Sequence, residues 1–236
     1  MKRWILLLCC ILLALSVTGC TGENSSSGSS SEQSSSQTQL QEDPVDPETA
    51  AALELVAEAD CEAPDFLTEE QQTLYRKAYT AYKQFALYTD GFGSTEWSPV
   101  TVEEYDNSFC VGNGSITTWK DYETAMLGLF TPDYLEELNL TVTELEDGTT
   151  LRYAHFSDYQ GQLAFSDGAR GSNITYLGPD TFELISQTED EIRFYVIGTY
   201  QDYVENEAGE LVQEGEITQQ KYEIVLTHTG NGWRFS

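Results

Sequence analysis

Glu191-Ile192-Arg193-Phe194-Tyr195-Val196-Ile197-Gly198-Thr199-Tyr200-Gln201 is the run on which the fold turns. It is rich in β-branched and aromatic residues and reads as a strand. A second long run covers residues 219–228, and shorter ones stand at 151–156, 162–165, 174–176, 182–187 and 233–235. Turn residues separate the runs: Asp147-Gly148, Asp158 with Gly161, Asp167-Gly168, Ala208-Gly209 and Asn231-Gly232. Short strands joined by tight turns make antiparallel sheet. Nothing beyond Leu138 reads as helix.

Upstream of these runs the period changes. Asp46 is placed to cap a helix, Pro47 suits its first position, and the helix is expected over 48–59, with Leu53, Val56 and Ala57 on one side. Pro64 marks a break. Thr68-Glu69-Glu70-Gln71 has the form of a capping box. It opens a second helix, expected to reach about Thr89, with Leu74, Ala78, Ala81, Tyr82 and Phe85 as the apolar face and Asp90-Gly91 as the stop. Tyr105, Asn107, Phe109 and Val111 alternate with polar residues as in a strand. Thr118 caps a third helix and Pro132 opens a fourth, ending at Leu138. Helices first and strands after is the α+β pattern.

The chain carries 40 acidic and 11 basic residues, a formal charge of −29. Its first residues form a secretory leader: Lys2 and Arg3, then an apolar run over 4–17. The leader ends in Val17-Thr18-Gly19-Cys20, which resembles a bacterial lipobox. Cleavage after residue 19 would leave Cys20 as the lipidated first residue, tethered to the outer face of the cell membrane of a Gram-positive bacterium. The apolar run is too short to span comfortably, since a span needs about 20 residues. Residues 20–45 are dominated by Ser, Gln, Gly and Glu, with too little apolar surface to fold. Such a linker reaches roughly 25 Å. Residues 46–236 then form one domain, with a leading helix in 46–60.

Loss of Lys2 and Arg3 with the leader leaves 9 basic against 40 acidic residues, a charge of −31. That excludes nucleic acid as a partner, because binding there rests on neutralising phosphates. It also disfavours anionic lipid headgroups and steers the domain towards basic proteins. Cys9 and Cys10 leave with the leader, and Cys61 and Cys110 remain. Outside the membrane they can pair or stay as separate thiols, and the sequence leaves both open. A bridge would close a loop of about 50 residues and add roughly 3–4 kcal/mol by the chain-entropy argument.

The set of reactive groups is thin. His155 and His228 are the only histidines. No phosphate loop, His-Glu-x-x-His or Gly-x-Ser-x-Gly occurs, and neither cysteine stands in a nucleophile-like setting. The expectation is a binder without catalytic residues, metal or cofactor, and a monomer. The stretch that stands out is Ser157-Asp158-Tyr159-Gln160-Gly161-Gln162-Leu163, followed by Asp167-Gly168-Ala169-Arg170-Gly171-Ser172. Arg170 is one of few cations here. It either neutralises crowded acids and fixes its loop, or belongs to a partner-binding loop made of Asp158, Tyr159, Gln160, Gly161, Asp167, Arg170 and Gly171.

Several short motifs come in a telling order: Tyr75-Arg76-Lys77-Ala78, Phe130-Thr131-Pro132-Asp133, Tyr159-Gln160-Gly161-Gln162-Leu163, Arg170-Gly171-Ser172 and Gly232-Trp233-Arg234-Phe235. In this, residues 67–236 resemble the IseA family of secreted or lipid-anchored inhibitors of peptidoglycan DL-endopeptidases. The resemblance implies a curved antiparallel sheet packed against helices. It also implies a loop that plugs the cleft of a basic cell-wall hydrolase of the NlpC/P60 type. The chain departs from the family pattern at Tyr159-Gln160, where a more acidic and Gly-richer turn is expected, and in an added acidic hairpin over 206–215. The abundance of Tyr and Phe supports an alternative, a lipoprotein with an NTF2-like or cystatin-like pocket for a small molecule or peptide.

Overall fold

The computed structural model describes residues 45–86, 89–166, 174–206 and 208–236. The leader, Cys20 and the linker to residue 44 lie outside the described residues. So do Asp167, Arg170 and Gly171 of the expected loop.

Among the described residues the chain forms four helices and thirteen strands. First come α1 (Pro47–Leu53), α2 (Glu69–Ala86), β1 (Trp97–Val100), β2 (Phe109–Gly112), α3 (Trp119–Leu129) and α4 (Pro132–Asn139). Then follow β3 (Leu140–Glu144), β4 (Thr150–Ala154), β5 (Phe156–Tyr159), β6 (Gln162–Ser166), β7 (Ile174–Tyr176) and β8 (Thr181–Gln187). The last are β9 (Glu191–Asp202), β10 (Val204–Glu205), β11 (Leu211–Val212), β12 (Ile217–Thr229) and β13 (Gly232–Phe235). One antiparallel sheet has the order β1-β2-β6-β5. A second runs β13-β12-β9-β7, with β8 also paired to β9. The hairpins β3-β4 and β10-β11 stand apart from both. The fold is α+β, with helices packed on curved antiparallel sheet.

Local chemistry explains most boundaries. Asp46 Oδ1 accepts from the amides of Glu48 and Thr49 at 3.0 Å each and starts α1. That helix stops at Leu53, short of the expected Ala59. The reason is distant in sequence: the nearly buried Lys77 ammonium donates to the carbonyls of Leu53 at 2.8 Å and Val56 at 3.1 Å. These carbonyls are satisfied without another helical turn. The capping box forms as expected, with Thr68 N donating to Gln71 Oε1 at 3.0 Å and Gln71 N to Thr68 Oγ1 at 3.3 Å. On α2, Ala78, Ala81 and Phe85 are buried as expected, but Tyr75 is buried in place of Tyr82, which is exposed. Thr118 caps α3 through the Asp121 amide at 3.1 Å.

The expected strand over 151–156 is split at His155, so that β4 and β5 belong to different sheets. Two asparagine side chains satisfy the backbone on either side of the break. Asn107 bonds both the N–H and the C=O of Ala154, at 3.1 and 2.9 Å. Asn139 does the same for Phe156, at 2.9 and 3.1 Å. Asn107 is therefore a strand surrogate outside a strand, and of the expected run 105–111 only residues 109–111 enter a ladder, within β2.

The core is aromatic. Phe85, Phe92 and Tyr122 surround Phe156, with ring centroids 5.4, 5.5 and 4.8 Å away. Phe66 and Tyr75 meet Phe194 at 5.5 and 6.3 Å. Arg234 lies buried beside this core. Its guanidinium donates to the carbonyls of Leu127, Trp233 and Asn231 at 2.7, 2.7 and 2.8 Å. The closing Gly-Trp-Arg-Phe motif thus locks the end of α3 to β13. No helix among the described residues is long and apolar enough to cross a membrane.

Candidate functional site

Two places on the domain offer recognition geometry. The first is the β5-β6 hairpin. Tyr159 faces Gln162 across the ladder, leaving Gln160-Gly161 as a two-residue loop. Both loop residues have positive φ, 56° and 84°, the signature of a type I′ turn. Glycine adopts this freely, whereas glutamine is strained there by roughly 1–2 kcal/mol. Asp158 Oδ1 accepts the Gly161 amide at 2.6 Å and closes the turn. Trp119 N donates to Gly161 O at 3.1 Å, and Leu163 N donates to Thr117 O at 2.9 Å. The tip is bolted to the start of α3 while Asp158, Gln160 and Gly161 remain exposed. Tyr159 has a different part: it packs with the small cluster of Phe109, Ala154 and Ala164.

The second place is a cleft of about 440 Å³ between α2 and the far end of the second sheet. Its walls are Asp60, Cys61 and Glu62 before α2, Tyr79 and Lys83 on α2, and Tyr176, Pro179 and Asp180 at β7 and beyond. Ile192, Phe194 and Val196 share one face of β9, and Gly198 and Tyr200 continue it by the strand's period of two. Gly198 lies behind the Asp180 wall and makes room for it by having no side chain. A Cβ there would lie 2.8 Å from the Tyr200 ring and 3.1 Å from Asp180 Oδ1. The Tyr200 ring and the Asp180 carboxylate therefore close over the glycine. Tyr176 meets Tyr200 with ring centroids 5.7 Å apart.

The electrostatics follow from this partial enclosure. Burial raises the Asp180 carboxyl above its ordinary value, opposed by a hydrogen bond from the Tyr176 hydroxyl and by the charge of Lys83. Burial and Asp180 together raise the Tyr176 phenol. Tyr200 is pushed up to about 12, chiefly by burial. Cys61 is also raised by burial, against the pull of Lys83. Lys83 Nζ stands 4.5 Å from the Tyr79 ring centroid, a cation–π contact.

Of the two alternatives left open for Cys61 and Cys110, the structure has the unbridged one. Cys61 lines the cleft, whereas Cys110 is buried in β2 of the other sheet. His155 Nδ1 lies 3.3 Å from Thr89 Oγ1, with its ring against Phe85. His228 packs on Trp233. The cleft residues other than Cys61 escaped the sequence reading. One signal was there: a glycine inside a run of β-branched and aromatic residues marks a close approach. No family model matches the chain, and no curated protein matches it.

Proposed function

We propose that the chain is a membrane-tethered extracellular inhibitor of a basic cell-wall hydrolase, a DL-endopeptidase of the NlpC/P60 type. Cys20 carries the lipid anchor, and residues 158–161 enter the target's cleft. The observation that carries this reading is the hairpin tip: an exposed two-residue turn held rigid, with Gln160 kept at φ 56°. Strained backbone persists where the surroundings over-determine it, and it clusters at ligand clamps. A rigid tip loses little freedom on docking. The charge of −31 left after cleavage of the leader would speed and orient encounter with a basic enzyme.

Titration of the intact chain against wall digestion by a purified endopeptidase of this type tests the reading. Hydrolysis slows near stoichiometric ratios, and the effect weakens as salt rises. Unaltered digestion at micromolar excess overturns it. Gln160→Lys is the sharper variant, since Asp158 also holds the turn; it keeps the hairpin and weakens inhibition. A second reading, a lipoprotein that captures a small molecule or peptide, is favoured by one observation, the tyrosine-lined cleft.

A further inference from the structure

The cleft lies apart in sequence from the hairpin tip, and its chemistry is more specific than its shape. Three carboxylates line it, Asp60, Glu62 and Asp180, against the single cation Lys83. Among the described residues Asp180 has no ion-pair partner, although it is partly enclosed and accepts a hydrogen bond from Tyr176. Lys83 draws on it only from beyond ion-pair distance, which offsets part of its loss of water and no more. The neighbouring rings supply the other half of a cation site. Lys83 already rests its ammonium over Tyr79. That contact shows where a positive group gains from a ring face in this cleft.

Resting on the pocket reading, we infer that the cleft seats a primary alkylammonium group, with its charge against Asp180 and its methylenes against the rings of Tyr79 and Tyr176. Lys83 is the resident competitor, a tethered amine that the ligand displaces. An anion is disfavoured by three acids and by the field of the whole chain. A purely apolar ligand would add nothing to the partial compensation that Lys83 gives Asp180. The ammonium can come from a free amine or from a lysine side chain of a peptide, and the two present the same chemistry to Asp180.

Calorimetric titration of the intact chain with n-butylamine, with Nα-acetyl-lysine methylamide, and with its Nε-acetylated form decides the matter. Both amines bind, and Nε-acetylation abolishes the heat. The lysine derivative binding at least tenfold tighter than butylamine identifies the peptide source; equal affinity, or tighter butylamine, identifies the free amine. Asp180→Asn weakens both amines by about tenfold, the size of one lost ionic contact. Lys83→Met tightens both severalfold by removing the competitor, whereas an anion site would lose affinity with the same change. Binding of the acetylated probe as well as the amine overturns the ammonium inference and leaves the pocket reading standing. Absence of heat from every probe at 10 mM, a threshold on the order of the weakest useful affinity, overturns both.

Discussion

The two ends of β9 share one strand, one face and one neighbour helix, yet they meet opposite fates. At one end Ile192 and Phe194 are sealed, 1 % and 0 % exposed, with Phe194 under Phe66 and Tyr75. At the other, Gly198 lies against Tyr200 and Asp180, beside an open cleft lined by Tyr79, Lys83 and Asp180. The strand is continuous hydrogen-bonded ladder throughout, paired with β12 from Ile192 to Gln201. What differs is the chemistry stationed opposite. An aromatic ring from α2 closes the first end, while a lysine, a carboxylate and phenols keep the second wet. One end of the sheet makes stability and the other makes a surface for recognition.

The closed end gives the largest expected effect. Phe194→Ala removes a fully buried ring that touches Phe66 and Tyr75 and destabilises by about 3–5 kcal/mol. Urea unfolding followed by tyrosine and tryptophan fluorescence measures it. A loss below about 1 kcal/mol would mean that the site collapses around the vacancy and that the two ends of β9 are alike.

Gly198→Ala separates stability from recognition at the open end. Its Cβ meets the outer atoms of a tyrosine ring and a carboxylate oxygen, so the Tyr200 ring swings away. Lower backbone entropy in the unfolded chain offsets part of the strain. Net stability shifts by less than about 1 kcal/mol, while alkylammonium binding in the cleft is lost. Retained binding would show that the placing of Asp180 in the cleft does not depend on its close approach to the glycine. A large loss of stability would show that the open end contributes to the core.

Local rules make much of the fold readable in the sequence. The capping box at Thr68 and Gln71, the cap at Thr118, Pro132 as a helix start and the turn at Gly161 each need only three or four neighbouring residues. Features built by distant residues were hidden. The stop of α1 depends on Lys77, more than twenty residues away. The break at His155 depends on Asn107 and Asn139. The Arg234 lock reaches back to Leu127. Of the candidate sites, the hairpin tip was visible because a turn is local. The cleft was not, because it gathers residues 60–62, 79, 83, 176, 179 and 180 from three segments. A tyrosine on a helix or strand carries no mark of whether it faces core or cleft.

The smallest effect tests the charge of the open end directly. Asp180 has its carboxyl raised above 3.8 by burial. The folded chain therefore holds that proton more tightly than the unfolded one. This contribution to stability is fully present below the ordinary carboxylate value and is lost as pH rises through the raised folded value. At neutral pH the ionised Asp180 is a net burden. The groups facing it are Asp60, Cys61 and Glu62 ahead of α2, Tyr79 and Lys83 on α2, Tyr176 on β7 and Tyr200 on β9. The Tyr176 hydroxyl and the Lys83 charge pull in its favour, and burial outweighs both. Asp180→Asn keeps an acceptor for Tyr176 and removes the charge. The variant is accordingly more stable near pH 7, by less than about 1 kcal/mol because the group is half open to water. The advantage fades as both proteins are brought below the ordinary carboxylate value. Thermal unfolding of the two proteins across pH 3 to 8, a range of about five units around the titration, reads the difference. A less stable Asn variant at pH 7 would mean that Lys83 already neutralises Asp180, so that the far end of β9 is closed by charge as its other end is closed by rings.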